Sequence, residues 1–363
     1  MRGVGRIRCI GAAAMLAIAI VATAWAGGMR GEAQPASGPR VLLLYDMEGI
    51  TGAVRPTDVN AGSPTYQATR ESLVEDVNAA IRGLMKAGVR EVVVTDGHGS
   101  GSPDPDYILE RMPKGARHEI RDEPYDPYID LMDRSFAAVV TIAMHSRAGG
   151  KGFVAHTYYG HTRWVMHGHD MNESMLVAAS AARVGTPLIL VTGDDVLEKE
   201  VKAFSPRTEY VTVKTAVSVE EARPRPRAEV SADIEAAAAR AFANVGSIPP
   251  WDPRLPGEFD NDCSYVMPEQ AAVAINFPGA AAVDAKTVRV RTRSFLEAYL
   301  AFRALASFTA LATQRVVLEG VRGEPGGADM IRKAQGRLPA RAERSFVAAE
   351  KTISRPYGRH GYR

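Results

Sequence analysis

Three short apolar runs in this chain each end on residues that can ligate a metal ion. Val41–Tyr45 (VLLLY) leads into Asp46-Met47-Glu48-Gly49, Glu91–Thr95 (EVVVT) into Asp96-Gly97-His98, and Ala137–Met144 (AAVVTIAM) into His145. Aliphatic and β-branched runs of this length, each followed by a loop or a helical pattern, read as buried strands of a parallel sheet. Sites in open α/β sheets form beyond the carboxyl ends of the strands. The expected fold is therefore α/β: a mostly parallel sheet flanked by helices, with a metal site at the carboxyl ends of its strands. A set containing Asp, Glu and two His suits a borderline metal, with zinc the first candidate, and argues against calcium, which prefers all-oxygen shells.

The rest of the chain supports that class. Tyr66–Ala87 has helical periodicity, with Leu73, Val77, Ala80, Ile81 and Leu84 on one face, and joins the first two strands into a parallel strand–helix–strand unit. Ser100–Arg121 is rich in Pro and Asp and reads as loop. Further on come a short strand at Trp164–His167, an Ala-rich helix at Asn172–Val184, a buried strand at Pro187–Thr192, a helix at Val196–Ala203, a strand at Glu209–Lys214 and a helix at Ala228–Val245. Trp251–Gln270 reads as an irregular connection, Ala271–Phe277 and Thr287–Arg293 as strands, and Ser294–Gln314 as one long amphipathic helix.

Both ends differ from this body. Arg2, Arg6 and Arg8, the apolar stretch Ile10–Ala24 and the small-residue site Ala24-Trp25-Ala26 form the pattern of a secretory signal peptide over residues 1–26, and the apolar stretch is short for a membrane anchor. A Gly/Pro/Ser-rich tether (27–39) would then precede the metal-site domain (40–318) and a basic, partly disordered tail (319–363). The expected location is periplasmic or secreted, with the membrane touched only through the transient signal. The net charge of +2 gives no global argument for nucleic acid as a partner. There are two cysteines, Cys9 and Cys263; cleavage removes the first, and the lone Cys263 reads as a small buried residue.

The candidate site grows from the strand ends. Asp46 and Glu48, at i and i+2, project to the same side of an extended segment. His156 follows His145 by eleven residues, with a glycine turn between, so it can face the metal without ligating it, as general acid–base catalysis requires. Glu173 opens the Ala-rich helix and can complete a second metal position. Asp46, Glu48, His98, His145 and Glu173, with one shared carboxylate, have the arithmetic of a two-metal hydrolase. His161, His167 and His169 read as surface or packing residues, and Asp195 as the cap of the helix that follows it.

YDMEGITG (45–52), TDGHGS (95–100), AMHSRAG (143–149), the spacing to His156, MNESMLVAASAARVGTPLILVTGDD (171–195) and FLEAYLAF (295–302), in this order, resemble the DppA-type bacterial D-aminopeptidases, which are binuclear zinc peptidases. The resemblance runs from about Val41 to Leu311. It implies Asp46 bridging two zinc ions per chain, Glu48 and His145 completing one, His98 and Glu173 the other, and His156 as the catalytic histidine. The family's Ser-His-Ser-like context is here Ala155-His156-Thr157. The resemblance further implies short peptide substrates and a ring-shaped homo-oligomer; together with export it points to D-Ala-containing wall peptides. Two alternatives stay open: an L-selective or broad amide hydrolase on the same scaffold, and a non-catalytic zinc-containing envelope binding protein.

Overall fold

The computed structural model describes residues 38–120 and 125–336. The signal peptide, nearly all of the tether and the tail beyond residue 336 lie outside the described residues.

In chain order the elements are β1 (Arg40–Tyr45), α1 (Tyr66–Lys86), β2 (Glu91–Asp96), β3 (Ala116–His118), β4 (Phe136–Ile142), β5 (Thr162–Met166), β6 (His169–Asp170), α2 (Glu173–Ala182), β7 (Leu188–Asp194), α3 (Asp195–Phe204), β8 (Glu209–Ala216), β9 (Ala222–Pro224), α4 (Arg227–Ala243), β10 (Phe259–Tyr265), α5 (Pro268–Ala274), β11 (Ala281–Ala282), β12 (Thr287–Thr292), α6 (Phe295–Phe308) and α7 (Ala310–Gly323). The main sheet has the order β3-β2-β1-β4-β7-β8-β9 and is parallel except for the β8–β9 edge pair. The α/β class expected from the sequence is the one found.

Alternation along β1 explains how both faces are covered. Val41, Leu43 and Tyr45 pack toward α1 and α4, while Leu42 and Leu44 join the core formed with α2, α3, α6 and a second sheet. Chain order moves outward from β1 through β2 to β3, then returns to the other side of β1 as β4. The switch point therefore lies at β1, and it is there that a crevice opens beyond the strand ends.

The second sheet, β11-β12-β10-β5-β6, is antiparallel and was not expected. Its central strand β10 lies inside the stretch read as irregular. Every second residue of that strand is buried: Phe259, Asn261, Cys263 and Tyr265. The alternation is hidden by a polar inward residue, Asn261, whose Oδ1 accepts from Trp164 Nε1 at 2.5 Å and whose Nδ2 donates to Ala298 O at 3.1 Å. The run Ala271–Phe277, expected as a strand, instead holds the second half of helix α5, started by Pro268 at its first position, and the turn that follows it. A short apolar run does not distinguish the two.

The long C-terminal helix is two. It breaks at Thr309, whose Oγ1 donates to Ala306 O at 2.9 Å. Phe295–Gly323 is long and apolar enough by composition to span a membrane, but α6 buries Phe295, Tyr299, Phe302 and Leu305, as a core helix does. The stretch 100–121 also holds the short parallel strand β3.

Candidate metal centre

Asp46 leaves β1 with its N–H on Ile142 O (2.9 Å), and Gly49 N–H bonds Ala143 O (2.8 Å). The segment that carries Asp46 and Glu48 is thus a turn locked against the end of β4, and not the extended stretch expected from the i, i+2 spacing. Gly49 is required there: a Cβ would stand 2.0 Å from Met144 O. From below, the fully buried Lys214 on β8 donates from Nζ to Glu48 O and Ala53 O, both at 2.6 Å. Burial lowers its pKa to about 7.

His98 follows β2, with its N–H on Asp96 Oδ1 at 2.9 Å. His145 follows β4. Glu173 is held in the first turn of α2 by its N-cap, Asn172, whose Oδ1 accepts Met175 N–H at 2.8 Å. His156 is drawn back by its own N–H to Ser146 O, 3.1 Å. Thr157, one of the two neighbours of His156 that depart from the expected local context, donates to Met171 O and accepts Ala148 N–H, which pins this segment in place.

The five candidate ligands and His156 converge as two groups. Asp46, Glu48 and His98 form one, and His145, His156 and Glu173 the other. His98 Nδ1 stands 2.9 Å from Asp46 Oδ1 and 3.1 Å from Glu48 Oε2. His145 Nε2 stands 3.4 Å from Asp46 Oδ2 and 3.3 Å from Glu173 Oε1. Asp46 alone reaches both groups. Grouped by distance, Glu48 sits with His98 and Glu173 with His145, which differs from the pairing that the resemblance implies.

The histidine tautomers follow from backbone partners, because a carbonyl can only accept. Nε2–H of His98 donates to Val59 O (3.1 Å), Nδ1–H of His145 to Ser146 O (3.0 Å) and Nδ1–H of His156 to Val154 O (2.8 Å). Each ring therefore turns its other nitrogen into the site, the arrangement that prepares imidazole as a ligand or base.

The donors fit a cation. Glu48 Oε2 and His145 Nε2 are buried with no hydrogen-bond partner. Burial pushes the Asp46 carboxyl up, and the Glu48 charge adds to it. Burial opposes charge on Glu48 as well, but His98 holds it well below the usual carboxylate range, while Glu48 and Asp46 hold His98 well above the usual imidazole range. Against the same burial, His145 and His156 bring Glu173 down to about 2, and Glu173 and Asp46 raise His145. Three buried carboxylates thus attract protons onto imidazoles at positions where cations would neutralise them better.

Exposure separates the two stacked histidines. Their rings lie 3.9 Å apart at 9°, yet the His145 side chain is 1% exposed and that of His156 21%. Both groups open on a cavity of about 1010 Å³ lined also by Tyr128, Tyr158, Tyr159 and Arg303.

A family model described as D-aminopeptidase matches residues 40–304. The chain belongs to the D-aminopeptidase family. It is 26% identical over 268 residues to a D-aminopeptidase of Bacillus subtilis, covering 72% of this chain and 94% of that protein. Its fold is similar to a solved structure, the Zn-dependent D-aminopeptidase DppA from Bacillus subtilis, described as a self-compartmentalizing protease. The TM-score is 0.69 at 24% identity, over 75% of this chain and 98% of the other. The family match ends within α6, so α7 lies beyond it.

Other sequence expectations resolve around this centre. Asp194, one residue earlier than expected, is the cap of α3 and accepts from Val196 N and Leu197 N. Asp195 instead accepts Ala216 N–H. Cys263 is buried, and burial raises its thiol to about 12. His167 is exposed, His169 reaches Pro253 O and His161 lies by Gln270. Sequence reading did not find Tyr128, whose hydroxyl is 2.5 Å from Glu173 Oε2, nor Tyr158, whose N–H bonds Glu173 Oε1 at 2.7 Å. No spacing marks either residue, because each acts through a fold-dependent contact.

Proposed function

We propose that this chain is an exported, zinc-dependent aminopeptidase that removes N-terminal D-amino acids from short peptides. The observation that carries the reading is the pair of buried donor groups that share Asp46, beside one more exposed histidine. Asp46, Glu48 and His98 would hold one zinc ion, and Asp46, His145 and Glu173 a second. Two zinc ions supply Lewis acidity toward a substrate carbonyl and a lowered pKa for water.

The chain's own residues do the rest. Carboxylates and neutral imidazoles give each position an open, carboxylate-rich shell rather than the closed Cys-rich shell of a structural site. His156, with Nδ1–H fixed on Val154 O, presents Nε2 to the cavity. There it takes a proton from the attacking water and returns it to the leaving amine. The Tyr128 hydroxyl and Tyr158 N–H hold Glu173 in orientation.

Stereochemical preference rests on the family and on the D-aminopeptidase relative. Export rests on the N-terminal pattern at residues 1–26. Assembly into a homo-oligomer is supported by the self-compartmentalizing relative and by the exposed Leu300, Phe308 and Leu311 on α6 and α7.

The test is metal content together with turnover. Purified protein should hold two zinc ions per chain and cleave D-alanine p-nitroanilide faster than the L-isomer, and His156→Ala should lose turnover while retaining zinc. Zinc-loaded protein inert toward D- and L-aminoacyl amides and short peptides would refute the proposal.

A further inference from the structure

Arg303 lines the same cavity as the metal-centre carboxylates and is paired, through one of its nitrogens only, with Asp126. It is the only lysine or arginine among the described residues lining that cavity, which is lined also by Asp46, Glu48 and Glu173. Its Nη1 is taken by Asp126 Oδ2 and by the Tyr299 hydroxyl. Its Nε is buried without a partner, and its Nη2 has no hydrogen-bond partner among the described residues. The guanidinium sits over the Tyr158 ring, with Cζ 4.1 Å from its centroid.

Tyr158 also sets the spacing. Its N–H bonds Glu173 Oε1 at 2.7 Å, and its φ of +62° is a left-handed conformation that few non-glycine residues adopt. One tyrosine therefore links the ligand carboxylate to the arginine, with its backbone on the first and its ring under the second. The reach of one tyrosine side chain is comparable with two extended residues, about 7 Å. A cavity lined by both carboxylates and a guanidinium, linked through one tyrosine, suits a zwitterion of about that length.

We propose that Arg303 receives the free C-terminal carboxylate of the substrate, so that the site favours unblocked dipeptides over their C-terminally capped counterparts. Asp126, Tyr299 and Tyr158 hold the guanidinium rigid, leaving Nη2 as the donor that faces the ligand. This inference rests on the aminopeptidase reading of the same site.

The experiment compares D-alanyl-D-alanine with D-alanyl-D-alaninamide on the zinc-loaded full chain. Wild type should favour the free acid by roughly 30-fold or more in kcat/KM, carried mainly by KM, because a partly desolvated carboxylate–guanidinium pair is lost with the amide. In Arg303→Met the acid-to-amide ratio should collapse toward one, and Arg303→Lys should fall between. Equal kcat/KM for acid and amide in wild type, which needs no variant to fold, would overturn the proposal while leaving the aminopeptidase reading intact. An unchanged ratio in Arg303→Met would overturn it as well. Wild type inert toward both compounds and toward D-alanine p-nitroanilide would instead remove the reading on which the proposal rests.

Discussion

Tyr128→Phe deletes one oxygen and tests whether the surroundings of Glu173 tune the metal centre. The hydroxyl donates at 2.5 Å to Glu173 Oε2, and both residues are almost fully buried. A hydrogen bond to a buried charge contributes about 1.5–3 kcal/mol, and at 1.36 kcal/mol per decade that range corresponds to roughly 10- to 150-fold. Measured losses on removing the partner of a metal ligand fall in a similar range, about 10–100-fold. The effect should stop there: His145 and His156 do more than Tyr128 to keep Glu173 ionised, and Tyr158 N–H still bonds Oε1. Zinc affinity is measured by competition with a chromophoric chelator, and kcat/KM on D-alanine p-nitroanilide in parallel. Melting of the metal-free protein controls for lost packing. Affinity within twofold of wild type, with the metal-free melting temperature unchanged, would refute the claim that this hydroxyl orients the ligand.

Gly49→Ala places a Cβ 2.0 Å from Met144 O and 2.5 Å from Ala143 C, backbone atoms that cannot turn aside; a cost of about 3 kcal/mol, or on the order of 5–10 °C in melting temperature, is expected in calorimetry. Asn261→Leu strips the partners of the buried Trp164 Nε1–H and Ala298 O, and urea unfolding should show about 2–4 kcal/mol of lost stability. Asp76, fully buried, has its carboxyl raised by burial to about 6 despite accepting the Thr51 N–H and hydroxyl. Since the native state favours the neutral form, stability contributed by this group is present below pH 4 and lost as pH rises through 6, by about 3 kcal/mol in all. Urea midpoints in chelator at pH 4 and pH 6.5 should show a decline larger in wild type than in Asp76→Asn by most of that amount, since Asp46 and Asp96, also raised by burial, act alike in both proteins; equal declines would refute the assignment.

The legibility of this fold followed the physics of each element. β1, β2, β4 and β7 are buried on both faces, so their apolar runs stand out, and the candidate ligands Asp46, His98 and His145 stand out with them. Glu173 was readable because a helix start after a strand end is a position with few uses. β10 was not, since its inward Asn261 is satisfied only by residues far away in sequence, Trp164 and Ala298. The pairing of ligands was not, because it depends on β1 lying between β2 and β4, a strand order that no local pattern encodes. Arg303 and Tyr128 carry no motif; their meaning lies in what the fold places beside them.

Asp46 stands at the end of the first strand, and Glu173 belongs to a helix more than a hundred residues later. The centre therefore has no precursor in any local segment: its donors meet only once β1, β2, β4 and α2 have docked. Metal would enter a finished receptacle, not nucleate one as in a zinc finger, where the ion supplies the folding energy. Stripping the ions should leave a folded, refillable protein. On the proposed export route, a chain still threading through its channel would carry the candidate ligands without the ability to sequester zinc along the way.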